Sequence, residues 1–164
     1  MNDFTDLFYL IAAIAIFGML LVSANQSMMR NNLVTVGNEQ EYTAVSLANG
    51  IIEEARAGRF DESNSCTLTG LTMPGALGPD GSEVNTYTNL GRSNFNDFDD
   101  YNGLSFTETT DSGIFDITAE VYYVTQIDPS TQLGIRSLHK RIDVTVSGNT
   151  LESNVVLSYV KSCR

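Results

Sequence analysis

The sequence predicts an α+β protein, with one long N-terminal helical spine whose first half is hydrophobic and an antiparallel β-meander head packed on its second half. Three observations carry this. From Leu7 to Ala24 the chain reads LFYLIAAIAIFGMLLVSA, and no charged residue stands between Asp6 and Arg30. Tyr42, Val45, Ala48, Ile52 and Ala55 then recur at spacings of three and four, with Leu47 and Ile51 beside them, the stripe of an amphipathic helix. After residue 104 the chain turns to β-branched and aromatic residues in alternation.

The apolar segment, at 1.5 Å per residue, is long enough to cross a bilayer core of about 30 Å. A cleaved signal peptide is the competing reading, and Ser23-Ala24 offers the small residues of a cleavage site. It fits poorly, because the apolar run exceeds a usual signal core and Asp3 and Asp6 stand where Lys or Arg belong. The positive-inside rule gives no clear orientation. A short acidic terminus directly before a membrane-length helix reads as that of a chain whose leader has been removed.

The helix does not stop there. Glu53, Glu54 and Arg56 lie toward the polar side of the stripe, and Gly58 is the C-cap candidate. Gly37-Asn38 and Gly50 are weak points. The reading is one helix from about Phe4 to Ala57, loosened near Asn31 to Asn38 and roughly 80 Å long if fully helical. Three segments follow: 1–30 as the apolar half-helix, 31–58 as its amphipathic continuation, and 59–164 as the head.

In the head, Met73-Pro74-Gly75, Gly78-Pro79-Asp80-Gly81, Asn89-Leu90-Gly91 and Tyr101-Asn102-Gly103 mark turns. Short strands are expected at Cys66–Met73, Val84–Leu90 and Leu104–Glu108. The clearer strands are Ile114–Ile127, where Phe115, Ile117, Ala119, Val121 and Tyr123 alternate, Arg141–Ser147 with Ile142, Val144 and Val146 on one face, and Leu151–Val160. The buried face needs a cover, and the amphipathic half of the helix is the candidate.

The formal net charge is −11, and the chain holds only two lysines, Lys140 and Lys161. An acidic surface repels nucleic acid. His139, Lys140 and Arg141 are the one local basic patch to weigh against that. Cys66 and Cys163, an even, low count in an exported chain, point to one disulfide, the alternative being two buried free thiols. No enzyme signature appears: one histidine, His139, reads as a surface residue, and there is no zinc constellation, nucleophile elbow or phosphate loop. No cofactor is implied. Asp97, Asp99, Asp100 and Asn102 are a weak calcium candidate, because carboxylates in a turn supply the oxygens calcium wants. Their spacing is not that of an EF-hand, and the plainer reading is a solvated acidic turn that caps its own backbone. Phe4, Phe8, Tyr9 and Phe17 read as bulky packing residues rather than a conducting stack.

Against this background, three stretches resemble the type IV pilin and pseudopilin family, closest in flavour to pilin-like proteins of the mannose-sensitive haemagglutinin type. They are Ser46-Leu47-Ala48-Asn49-Gly50-Ile51-Ile52-Glu53-Glu54-Ala55-Arg56, Asn96-Asp97-Phe98-Asp99-Asp100-Tyr101-Asn102-Gly103 and Lys140-Arg141-Ile142-Asp143-Val144-Thr145-Val146. Order and spacing matter more than any one of them. The resemblance implies a subunit that polymerises through its N-terminal helix into an extracellular filament. It also implies an inner-membrane stage, a prepilin peptidase, N-methylation and an assembly machinery as partners, with no nucleic acid expected. The family usually has Glu at the fifth mature position, facing a neighbour's N-terminal amine; here position 5 is Thr5, and Asp6, or second Asp3, takes that role toward Met1. Phe8 and the small residues Ala12, Ala13, Ala15 and Gly18 would pack the helices closely. The rival readings are a minor pilin or pseudopilin, and a monomeric single-span protein with an extracellular binding head.

Overall fold

A computed structural model describes residues 3–63, 65–81, 83, 92–149 and 151–164, with backbone only at 3 and 93. The expected strand Val84–Leu90, the turn Asn89-Leu90-Gly91, the Met1 amine and the Asp3 side chain lie outside the described residues.

Helix α1 runs from Asp3 to Ala57. It is helical through Asn31–Asn38, so the expected loosening there is absent; Thr35 Oγ1 donates to the Asn31 carbonyl at 2.9 Å within the turn. Among the described residues four strands follow: β1 (Ser105–Thr110), β2 (Gly113–Tyr123), β3 (His139–Gly148) and β4 (Val155–Ser162). They form one antiparallel meander in the order β1-β2-β3-β4. The chain divides into two compact units, Met1–Glu39 and Gln40–Arg164.

In the first unit the apolar side chains face outward all round the helix: Phe4, Phe8, Ile14, Met19 and Leu33 are exposed. The segment is long and apolar enough to cross a membrane, with a mean hydropathy of 2.5 over its richest 18 residues.

In the second unit the last turns of α1 cover the sheet. Ala44, Ala48, Ile51, Ile52 and Ala55 are buried against Phe115, Ile117, Ala119 and Val121 of β2 and Ile142, Val144 and Val146 of β3. Register puts Ile117 opposite Val146, Ala119 opposite Val144 and Val121 opposite Ile142, so one face of both strands is continuously apolar. The alanines in the helix stripe let backbone and sheet approach closely. The expected stripe is shifted at its start. Tyr42 and Val45 are exposed, and Gln40 and Ala44 face inward instead. The reason lies at the β1–β2 turn, where Gln40 Nε2 donates to the Ser112 carbonyl at 3.2 Å and Thr43 Oγ1 pairs with Ser112 Oγ at 3.1 Å.

Cys66–Met73 is not a strand. Its backbone closes on itself, with the Gly70 amide donating to the Thr67 carbonyl at 2.9 Å, and a 3-10 turn follows at Pro74–Ala76. Leu71 alone plugs the core beside Phe60 and Tyr123. One inward anchor replaces the alternation a strand needs.

Candidate functional site

The unexpected centre of the head is a buried lysine. In β3 the inward positions are Lys140, Ile142, Val144 and Val146, so the strand that brings three aliphatic residues to the core brings an ammonium with them. Lys140 has no exposed surface. Its Nζ donates to Asp99 Oδ1 at 2.5 Å, Asp61 Oδ2 at 2.8 Å and the Phe60 carbonyl at 2.9 Å. The Phe60 ring lies 4.7 Å and the Tyr123 ring 5.4 Å from it, which adds two favourable aromatic faces to a desolvated cation.

Local sequence places the partners. After α1 ends, Gly58 meets the 96–97 backbone so closely that a Cβ would sit 3.3 Å from Asn96 and Asp97 backbone atoms. Glycine serves close approach here, and Gly58 does not form a left-handed cap: among the described residues the positive-φ glycines are Gly78, Gly81, Gly103 and Gly113. The approach allows Arg59 N–H to bond the Asn96 carbonyl at 3.1 Å and Phe98 N–H the Arg59 carbonyl at 3.0 Å. Helix end and acidic turn are thereby zipped together, with Asp61 on one side and Asp99 on the other.

The acidic turn folds inward. Asp97 Oδ1 accepts from the Asp99 and Asp100 amides at 2.9 and 3.3 Å, and Asp100 Oδ2 from the Asn96 and Asp97 amides at 2.8 and 2.9 Å. Asn102 Oδ1 accepts from the Val121 amide and its Nδ2 donates to the Leu77 carbonyl, each at 2.9 Å. Thus the backbone capping expected of these residues is present, but the solvated turn is not: Asp97, Asp99 and Asp100 are buried. Their oxygens serve amides and Lys140, and among the described residues no group of three His, Cys, Asp or Glu is arranged to hold a metal ion. The basic patch at 139–141 is also absent. Lys140 points into the core, Arg141 pairs with Asp143 at 2.7 Å, and His139 Nδ1 bonds Ser162 Oγ at 2.8 Å.

Lys161, the other lysine, is the cross-strand partner of Lys140. Its Nζ reaches the carbonyls of Ala55 (3.3 Å), Arg56 (3.0 Å), Gly58 and Arg59 (3.1 Å), and so performs the C-cap of α1. An ammonium there also meets the negative end of the helix dipole. Two residues on, Cys163 is bonded to Cys66, with Cα atoms 5.6 Å apart.

Charge in this corner is unequally held. Burial pushes the Asp97 carboxyl up to about 8, helped by the Asp99 and Asp100 carboxylates beside it. Burial also raises Asp99, and the Lys140 charge opposes this only in part. At Asp61 burial is outweighed by bonds from Lys140 and the Thr72 amide, so its carboxyl lies below the usual range. Burial, with Lys140 acting in the same direction, draws Lys161 down to about 8.

Asp97 couples folding to pH. Its folded value is raised above its unfolded one, so the stabilisation from binding the proton is complete below pH 4 and is lost as pH rises toward 8. The midpoint of thermal unfolding is therefore expected to fall between pH 5 and pH 8, and Asp97→Asn, whose amide oxygen can still accept the two turn amides, flattens that slope. Circular dichroism melts across this range measure it; a wild-type slope unchanged in the variant contradicts the assignment.

Comparison with family models, with curated proteins and with solved structures finds no match to this chain. Of the residues expected to act in assembly, Asp6, Phe8, Ala15 and Gly18 are exposed on α1 and Ala12 is partly so. Ala15, Gly18, Met19 and Val22 border one shallow face of the helix. The lysines were missed from sequence although a signal existed: each sits in phase with the inward residues of its own strand, Lys140 with Ile142 and Lys161 with Tyr159.

Proposed function

We propose that the chain is a structural subunit that self-assembles through its N-terminal helix into an extracellular type IV pilus-like filament, waiting in the membrane with its head outside before assembly. The observation that carries this reading is the outward apolar surface of α1 from Phe4 to Val36, which leaves large side chains exposed on every side of the helix. Such a surface needs lipid or other helices around it. A helix with Ala12, Ala15 and Gly18 among its bulky residues suits close helix–helix packing once lipid is left behind. The covered head, with its sheet, its disulfide and its acidic exterior, supports a role as the outer layer. One repeated heterologous contact then grows an open fibre rather than a closed ring.

In this reading Asp6 meets the Met1 amine of a neighbour, and a carboxylate left without that partner inside a helix bundle is costly. Asp6→Ala is expected to lower the yield of sheared filament roughly ten-fold, equivalent to about 1.4 kcal/mol per subunit contact, whereas Asp6→Glu restores it. Ala15→Glu, a charge in the packing face, abolishes filaments while the melting midpoint of the head stays unchanged. Filament yield quantified after shearing tests both; wild-type yield from Ala15→Glu sinks the reading.

A further inference from the structure

We propose that Lys140 and Asp99 condense into an intramolecular isopeptide bond, Nζ to Cγ, which joins β3 to the turn preceding β1, with Asp61 carrying a proton and Asp97 polarising the carboxyl group. The cross-link belongs to the head alone and stands whether or not the chain polymerises.

Its ground is a set of contacts that an ordinary ion pair does not require. A primary amine lies fully buried between two carboxyl groups, at 2.5 Å from Asp99 Oδ1 and 2.8 Å from Asp61 Oδ2. Aromatic rings of Phe60 and Tyr123 wall it. The third carboxyl group, Asp97, shares a hydrogen bond with Asp99 and is itself buried. In water an ammonium–carboxylate pair is preferred to an amide plus water. In a site closed to solvent both ions have lost their hydration, and the neutral amide is relieved of that penalty. Fixing amine and carboxyl in contact also removes the entropy cost of bringing them together.

The chemistry balances without a further reactant. A proton passes from Nζ to Asp99 along their hydrogen bond, giving a neutral amine and a carboxylic acid. Nζ attacks Cγ while the Asp97 carboxyl group hydrogen-bonds the carbonyl oxygen as negative charge gathers there. Asp61 takes one of the two remaining protons of the now cationic nitrogen and delivers it to the departing hydroxyl. The C–O bond breaks, one water leaves, and Asp61 and Asp97 are regenerated. An ammonium and a carboxylate have become an amide and water. The ionised Asp61, held by the Thr72 amide at 3.0 Å and Thr72 Oγ1 at 3.1 Å, is oriented for that proton transfer.

A second covalent tie at this corner has a mechanical consequence. The disulfide joins Cys66 to the end of β4, and the isopeptide bond joins the 99–101 turn to β3. Both hold the region just after the helix, where pull on α1 enters the head.

The test is tryptic peptide mass spectrometry on the full chain, extracted in detergent, reduced, alkylated and unfolded. The expected result is no cleavage after Lys140, with peptide 137–141 joined through Lys140 to peptide 93–136 and the joined mass one water short of the sum. Lys140→Arg keeps the positive charge without a primary amine and yields unjoined peptides. Asp97→Asn slows accumulation of the joined species on the order of a hundred-fold. Wild-type protein cleaved after Lys140, with peptide 93–136 free, overturns the proposal. A link found on peptide 60–92 instead overturns the choice of Asp99 as the acyl partner.

Discussion

Lys140→Met is expected to destabilise the head by about 3–5 kcal/mol, the range for removing one partner of a buried ion pair. Methionine fills much of the lysine volume, so the loss comes from charge rather than from a cavity. Asp61 and Asp99, both within 2.8 Å of Nζ in the native head, would face each other in a site with almost no water. The Phe60 carbonyl would lose its donor as well. The contrast is Arg141→Met, one residue along the strand. That ion pair with Asp143 is partly exposed, and such pairs contribute about 1 kcal/mol or less. Urea unfolding of the two variants beside the wild type separates them. Equal, small losses from both would show that the buried lysine carries no special share of stability. A covalent Lys140–Asp99 link changes the ground of the difference, because the linked wild type holds a neutral amide and the variant then loses the cross-link rather than the charge.

Replacing Cys66 and Cys163 by serine is expected to cost about 4–5 kcal/mol in the chain-entropy account. The bond closes a loop spanning a sequence separation of 97, which is why the expected effect lies near the top of the range for native disulfides. The loss also has a local side. Cys163 N–H bonds the Leu138 carbonyl at 2.9 Å, and Lys161, two residues earlier, caps the helix. Freed from Cys66, the end of β4 would hold that cap less firmly, and amide exchange should rise first at Ala55–Arg59. Comparing urea midpoints of the oxidised wild type and the double serine variant gives the size. A change below about 1 kcal/mol would mean that the unfolded chain is already constrained elsewhere in this loop.

Much of the fold was legible because its elements repeat with a period. β2 and β3 alternate over many residues, and their inward sets, Phe115 to Tyr123 and Ile142 to Val146, are those found buried. The apolar half of α1 is equally plain, since uniform hydrophobicity over that length has few interpretations. Where one residue decides, the pattern fails. Tyr42 fits the helical period as well as Gln40 does, and only the Ser112 turn, distant in sequence, selects between them. Cys66–Met73 has the residues of a strand, but among the described residues no strand pairs with it, and Leu71 is buried beside Phe60 and Tyr123. The lysine corner was hidden for a different reason. A charged residue in phase with a buried stripe is read as the stripe's end, whereas here Asp61 and Asp99, forty and more residues away, make it the stripe's continuation. Carboxylates in a turn can serve a metal or an internal ammonium alike, and the spacing of Asp97, Asp99 and Asp100 does not distinguish the two.

The central claim, that the N-terminal helices bundle to build a filament, is tested most directly by electron cryo-microscopy of material sheared from the cell surface. The account predicts a helical map made of this chain, with residues 4–24 bundled at the axis, the disulfide-bonded heads outside and Asp6 against the Met1 amine of a neighbouring copy. Filaments that lack this chain, or a protein that stays monomeric in the membrane fraction with no filament formed, would contradict it.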